Sequence, residues 1–223
     1  MPEVPRRLFS LIKDNAPRPG CVVENPMLAS QGYGLTFFSM GERTSTPAER
    51  QKRPSLYIVI SGEVDIEIHD RQPFRTVVLH EGEVFIRHAG VLIGFRAQQD
   101  CIFLEQSFRD SVSFVEEIYF REIMKLDEWV ALTGKDAYRT ILDGWALFGN
   151  VYGFPAGTEF DHQVRKGVVM FICLEGRIEL ETDNGRILVM KPWDAVFLHP
   201  HRYHHLHVKT TEDTRAMRLW KLY

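Results

Sequence analysis

Residues 56–68, LYIVISGEVDIEI, and residues 170–182, MFICLEGRIELET, follow one pattern: an apolar run, a glycine, then strict alternation of apolar and charged residues. Alternation with a period of two is the signature of half-buried strands, and the glycine between the runs reads as the turn of a hairpin. Further on, TVVLHEGEVFIRHAGVLI at 76–93 matches ILVMKPWDAVFLHPHRYH at 187–204 without a gap, and GLTFFSMGERTS at 34–45 matches NVYGFPAGTEFD at 150–161. An internal repeat constrains a fold more than any single motif does. Two copies of about 75 residues, made of short strands with turns at regular spacing, imply a mostly β chain of two tandem antiparallel barrels or sandwiches.

The copies divide the chain into an arm at 1–33, a first repeat at 34–107, a connector at 108–147 and a second repeat at 148–223. In the connector, Ser113 and Glu116 have the spacing of a capping box, and Phe114, Ile118, Ile123 and Leu126 follow at helical intervals, which predicts a helix over SFVEEIYFREIMKL.

Twenty-seven basic residues stand against 30 acidic ones, a net charge of −3. Such a balance argues against direct nucleic-acid binding and against a polybasic membrane face. The opening MPEVPRRLFSLIKDNAPRPG has no continuous apolar core of a secretory signal, and no run approaches a membrane span, so a cytoplasmic protein is expected. Cys21, Cys101 and Cys173 are few and odd in number, as reduced thiols are; Cys173, inside VVMFICL, reads as a core residue.

On these residues the repeat resembles the cupin superfamily, and the whole chain a bicupin with degenerate metal motifs. Cupins carry G(X)5HXH(X)3–4E(X)6G and G(X)5PXG(X)2HXXXN; Gly62 and Gly176 match the glycine that closes the first motif, Gly82 and Gly90 those of the second. The resemblance implies two double-stranded β-helix, or jelly-roll, barrels joined by a short helical segment, with ligands held inside a barrel. In the first copy the motif's Glu position falls on Ser55. Its paired His positions fall on Ala48 and Arg50, or on Glu49 and Gln51, and the second motif's His position falls on Ile93. No metal is expected there, and His88, at the proline position, reads as a turn residue.

In the second copy, with the longer spacing, His162 and Val164 take the paired His positions, Val169 the Glu position and His204 the second-motif His position; with the shorter spacing, Gln163 and Arg165 replace the pair. His204 belongs to LHPHRYHHLHV, where strand alternation separates it from His205 and His207. The resemblance therefore implies His162 and His204 as metal ligands, completed by His199, His201 or Glu159 around one divalent ion, with zinc, iron, manganese and nickel not distinguished. The other reading takes Val164, Val169, Phe171, Cys173 and Met190 as lining an apolar cavity for a small organic molecule, bound by His162, Phe171, Met190, His199, His201 and His204. Ser55, Tyr57 and Arg87 are weaker candidates of the same kind in the first copy, and Trp193, standing where the second motif expects glycine, covers the barrel end.

Two functions follow. One is a small-molecule-binding bicupin whose ligand, a sugar-derived or carboxylate metabolite, sits in the C-terminal barrel. The other is a metal-dependent enzyme of isomerase, hydrolase or dioxygenase type acting at the same barrel, in which the metal polarises a carbonyl or enediol oxygen and a histidine at the mouth moves protons. The expected partner is a small molecule, with room for a homodimer and none for a membrane or nucleic acid.

Overall fold

A computed structural model describes residues 8–30, 33–50, 52–70, 73–108, 113–114, 123–125, 138–144, 147–164, 168–182, 185–198 and 204–221. Its elements are strands throughout. They begin with β1 (Leu8–Ser10), β2 (Val22–Ser30), β3 (Tyr33–Met40), β4 (Thr44–Ser45), β5 (Glu49–Arg50), β6 (Ser55–Ser61), β7 (Glu63–Ile68) and β8 (Arg75–His80). Next come β9 (Glu83–Arg87), β10 (Leu92–Ala97), β11 (Cys101–Phe108), β12 (Ser113–Phe114), β13 (Ile123–Lys125), β14 (Tyr138–Gly144) and β15 (Leu147–Phe154). The last are β16 (Glu159–Val164), β17 (Val168–Glu175), β18 (Ile178–Thr182), β19 (Ile187–Met190), β20 (Asp194–Leu198), β21 (His204–Thr210) and β22 (Thr214–Lys221). No helix among the described residues is long and apolar enough to cross a membrane.

The chain forms two compact units, one from residues 12–112 and 116–126, the other from 1–11, 113–115 and 127–223. In the N-terminal unit a sheet ordered β13-β9-β6-β11-β3-β2 and a second ordered β4-β10-β7-β8, with β5 also on β10, enclose one apolar cluster. In the C-terminal unit the sheets are β1-β20-β17-β22-β15-β14-β12 and β16-β21-β18-β19, again around one cluster. Every pairing described is antiparallel, and among the described residues neither unit's sheets close into a continuous barrel. Burial follows the alternation read from the sequence: β7 exposes Glu63, Asp65 and Glu67 in part and buries Val64, Ile66 and Ile68.

The repeat is visible in its turns. Gly62 and Gly176 both have positive φ, and a Cβ on either would meet a carbonyl oxygen, of Asp100 or of Asp213, at 2.3 Å. Only glycine fits both demands. Thr44 and Thr158 each donate a hydroxyl to the carbonyl three residues back, and the amides of Glu42 and Ala156 each donate to the carboxylate of Asp100 or Asp213. These turns align Thr44 with Thr158, and the ladders agree: Met40 pairs with Cys101 as Phe154 pairs with Thr214. The gapless match of 34–45 on 150–161 is therefore two residues out of register. Met40 answers to Phe154 and Thr36 to Asn150, since core-facing side chains and hydrogen bonds, rather than string similarity, set register.

The helix expected over 113–126 is not what the described part of that stretch forms. Ser113 and Phe114 pair with Asp143 and Leu142, and Ile123–Lys125 pair with Phe85, Val84 and Glu83; 115–122 and 126 lie outside the described residues. At these five residues, pairing onto a sheet edge takes precedence over the local pattern. Within 1–33, β2 joins the N-terminal unit, and β1 lies on β20 in the C-terminal unit, with Leu11 N–H donating to the Trp193 carbonyl at 2.9 Å.

Candidate functional site

The inner side of the C-terminal unit's larger sheet carries a row of side chains across four strands. Asn150 pairs with Arg218, Arg218 with Phe171, and Phe171 with Val196. The next row is Tyr152, Ala216 and Cys173. Phe171, Val196, Ala216 and Cys173 belong to the interior cluster, and the Arg218 guanidinium sits 5.8 Å from the Tyr152 ring centroid. Alternation along MRLWK sends Ala216 and Arg218 to this side and Met217 and Leu219 to the other. Arg218, Asn150 and Tyr152 were not among the sequence candidates; an arginine alternating with Met and Leu in a terminal strand was their only signal.

Phe171 and Met190 are buried in the same cluster. His162, on β16, pairs with Leu206, and His204, the first residue of β21, pairs with Val164. The register puts positions 162 and 204 on the side of the sheet shared with Phe160 and Val208, both packed on the cluster. His199 and His201 lie outside the described residues. Glu159, named above as a mouth donor, is on the opposite side with Asp161 and His207. There the His207 ring meets Asp161 Oδ1 at 2.9 Å through Nδ1 and Glu159 Oε1 at 2.7 Å through Nε2. Hydrogen bonds to Asp161 and then to Glu159 raise the His207 pKa above its usual 6.5, and the His207 bond lowers that of Glu159. An outward histidine clamped by carboxylates is not a ligand for the interior.

In the N-terminal unit the equivalent region is occupied by its own side chains. Ser55, Tyr57 and Arg87 surround Glu105, a further residue outside the sequence candidates. Glu105 Oε1 accepts from Ser55 Oγ at 2.9 Å and from Tyr57 Oη at 2.8 Å, while an Arg87 terminal nitrogen donates to Ser55 Oγ at 3.1 Å and lies 3.6 Å from the carboxylate. The side chains of Arg87 and Glu105 are only 1% and 9% exposed. Burial, and next the Glu105 charge, push the Tyr57 pKa well above its usual 10.0, so the phenol remains a donor. The rings of Phe38, Phe95 and Phe103 fill the adjacent space at centroid separations of 4.8 and 4.9 Å along the chain of contacts.

Strand pairing carries these positions into the other unit. Phe103, between Val59 and Phe38, answers to Ala216, between Cys173 and Tyr152; Phe85, opposite Tyr57, answers to Val196, opposite Phe171. Two buried rings of the first copy are thereby replaced by smaller side chains, while Phe154 stands where the first copy has Met40. Ser55, Tyr57 and Arg87 become Val169, Phe171 and Leu198, and Glu105 becomes Arg218.

The two buried thiols offer no nucleophile. Cys101 and Cys173 are free and buried, and desolvation pushes both pKa values up to about 12; Cys21 is free and exposed. Among the described residues no group of three or more His, Cys, Asp or Glu side chains is arranged to hold a metal ion.

No protein-family model matches the sequence, and no curated protein is similar to it. Solved structures do match. A cupin 2 conserved barrel domain protein from Leptotrichia buccalis superposes with a TM-score of 0.81 at 16% identity, over 96% of either chain. A salicylate 1,2-dioxygenase from Pseudaminobacter salicylatoxidans gives 0.72 at 11% identity over 97% of this chain and 83% of its own. An oxalate decarboxylase variant from Bacillus subtilis gives 0.61 at 11% identity over 96% and 77%. At these identities the likeness establishes architecture and not chemistry. With its antiparallel two-sheet units and these neighbours, the chain is a protein of the cupin fold.

Proposed function

We propose that this protein binds a small organic molecule inside its C-terminal unit, with Phe171 and Met190 among the walls and His162 and His204 on the strands opposite. The observation that carries the reading is the replacement of the buried Phe103 and Phe85 by the smaller Ala216 and Val196, a loss of volume that Phe154 at the position of Met40 offsets only in part. Tyr152 and Phe160, packed against the C-terminal cluster, stay partly exposed, whereas the N-terminal rings are buried. An apolar interior with a few polar groups is the usual make-up of a small-molecule seat. Putting the volume back tests it: Ala216→Phe is expected to fold with little loss of stability and to abolish the thermal shift that metabolites give the wild type. If no metabolite shifts the wild type, or if Ala216→Phe costs more than the about 1–3 kcal/mol of an overpacked core, the space does not exist.

A second reading, a metal-dependent enzyme of isomerase, hydrolase or dioxygenase type, is favoured by the shared side of positions 162 and 204. Two imidazoles fit part of a divalent site for zinc, iron, manganese or nickel; a third donor has to come from residues such as His199 or His201. The metal would polarise a substrate oxygen, and those histidines would hold the substrate and carry its proton. Metal analysis of untagged protein tests this reading: one ion per chain, lost in His162→Ala and in His204→Ala, establishes it, and a content near zero ends it. The N-terminal unit is expected to take no divalent ion, because the Arg87 guanidinium already supplies a cation to Glu105.

A further inference from the structure

We infer that the C-terminal seat takes a neutral hydroxylated molecule with an apolar body, its hydroxyl donating a hydrogen bond to Asn150 Oδ1; the inference rests on the seat proposed above. Asn150, on β15, is only 6% exposed. Its Nδ2 donates to Tyr152 Oη at 3.2 Å, while its Oδ1 is buried with no hydrogen-bond partner among the described residues. Buried amide oxygens are nearly always paired, because burial takes away the water that would otherwise donate to them. An acceptor that the protein leaves unmet beside an interior seat is met by what occupies the seat.

The place of Asn150 on the sheet ties it to that seat. Alternation puts it on the same side as Tyr152 and Phe154, both part of the packing around the interior cluster. Tyr152 lies opposite Ala216 and Asn150 one row along, so Asn150 and Ala216 are diagonal neighbours, about 7–8 Å apart. Ala216 is where the first copy carries Phe103, and the carboxamide therefore borders the position at which the side chain has shrunk. In the first copy Thr36 stands in the place of Asn150, half-buried and diagonal to Phe103. The copy that keeps the ring has no buried amide there; the copy that gives up the ring has one.

The orientation of the amide selects the chemistry of its partner. With Nδ2 on Tyr152 Oη, the open end is an acceptor and calls for a donor. Turning the amide over would move the unmet end from oxygen to nitrogen without removing it, and would call for an acceptor instead. A hydroxyl satisfies the first arrangement, an ether oxygen only the second, and a hydrocarbon neither. An ammonium group also donates, but its charge costs far more to bury against an apolar cluster than a neutral hydroxyl does.

Two sets of matched probes test the inference on the full chain by NMR titration. One is benzyl alcohol, benzyl methyl ether and ethylbenzene; the other is the same three with a cyclohexyl ring in place of the phenyl. The alcohol is expected to bind about tenfold or more tightly than its ether and its hydrocarbon, because a site built to hydrogen-bond a hydroxyl rejects analogues that leave its polar group unpaired. Asn150→Leu keeps the shape of the side chain and should bring the alcohol down to the level of the hydrocarbon, with hydrocarbon binding undiminished. The comparison on wild-type protein needs no variant to fold. An ether that binds as tightly as its alcohol overturns the donated hydrogen bond, and a hydrocarbon that does so overturns any part for the amide; both leave the seat standing. A folded Asn150→Leu protein that keeps the preference for the alcohol overturns the assignment to Asn150. If none of these probes binds while other metabolites still raise the thermal stability of the wild type, the ligand class is overturned alone. If no metabolite does so either, the seat falls and this inference with it.

Discussion

Removing the charge from Glu105 while keeping its shape should unfold the protein far more easily than the same change at a surface glutamate. Glu105→Gln still offers an oxygen to Ser55 and Tyr57, at 2.9 and 2.8 Å, so what it deletes is the counter-charge of Arg87. Arg87 is 1% exposed at its side chain, and its Nε has no hydrogen-bond partner among the described residues, so little solvent reaches it to take over. Breaking one side of a buried ion pair costs about 3–5 kcal/mol, and Arg87→Met should cost a similar amount by stranding the carboxylate. The double variant Arg87→Met, Glu105→Gln keeps both hydroxyl bonds and buries no charge. Because replacing a whole buried pair by uncharged groups is close to neutral, it should return to within about 1 kcal/mol of the wild type, a coupling of about 5–9 kcal/mol. Urea unfolding followed by circular dichroism, with unchanged slope across the four proteins, measures each corner of the cycle. Single variants that lose less than about 1 kcal/mol, or a double variant as unstable as the sum of the singles, would refute the claim that the two charges depend on each other.

Trp193 adopts φ of 63° where the first copy has Gly82 at 77°. Trp193→Gly should relieve about 1–2 kcal/mol of left-handed strain yet lose about 3–5 kcal/mol of buried indole, a net fall in thermal stability; a rise would mean that the ring packs against nothing. His207 should titrate above 6.5 by NMR, and Asp161→Asn should bring it down. Since its folded pKa is raised, the stability it lends is complete below 6.5 and is lost as pH rises through the folded value, so a His207→Gln variant should differ most from the parent on the acid side. A thiol reagent at pH 8 should modify Cys21 in the native protein and reach Cys101 and Cys173 only in denaturant; prompt reaction of all three would contradict the burial of the latter two.

The strands of both copies were legible because alternation and turn glycines are local. Gly62 and Gly176 announce their hairpins with no knowledge of the Asp100 and Asp213 carbonyls that make glycine obligatory. The polar interiors were not legible in the same way. Ser55, Tyr57 and Arg87 stand out singly, but that they converge on Glu105 depends on the pairing of β6 with β9 on one side and β11 on the other. Arg218 becomes visible as a site residue only when the ladder sets it between Asn150 and Phe171, and the ungapped match of the copies, two residues out at Asn150, hides that correspondence. In the connector the capping-box spacing is local, while the strand partners of Ser113 and Ile123 are remote.

β1 and β13 give each unit an edge strand drawn from outside its own repeat, Leu8 lying opposite Val196 and Ile123 opposite Phe85. During synthesis the segment carrying Leu8 emerges long before the strand it completes, so the C-terminal sheet can finish only after β22 has left the ribosome. A gene split at the repeat boundaries would accordingly yield poor fragments: residues 34–107 would lack β2 and β13, and 148–223 would lack β1, β12 and β14, each leaving an apolar sheet margin open to self-association. Evolution by duplication has here ended in a protein whose halves no longer divide where the sequence repeats.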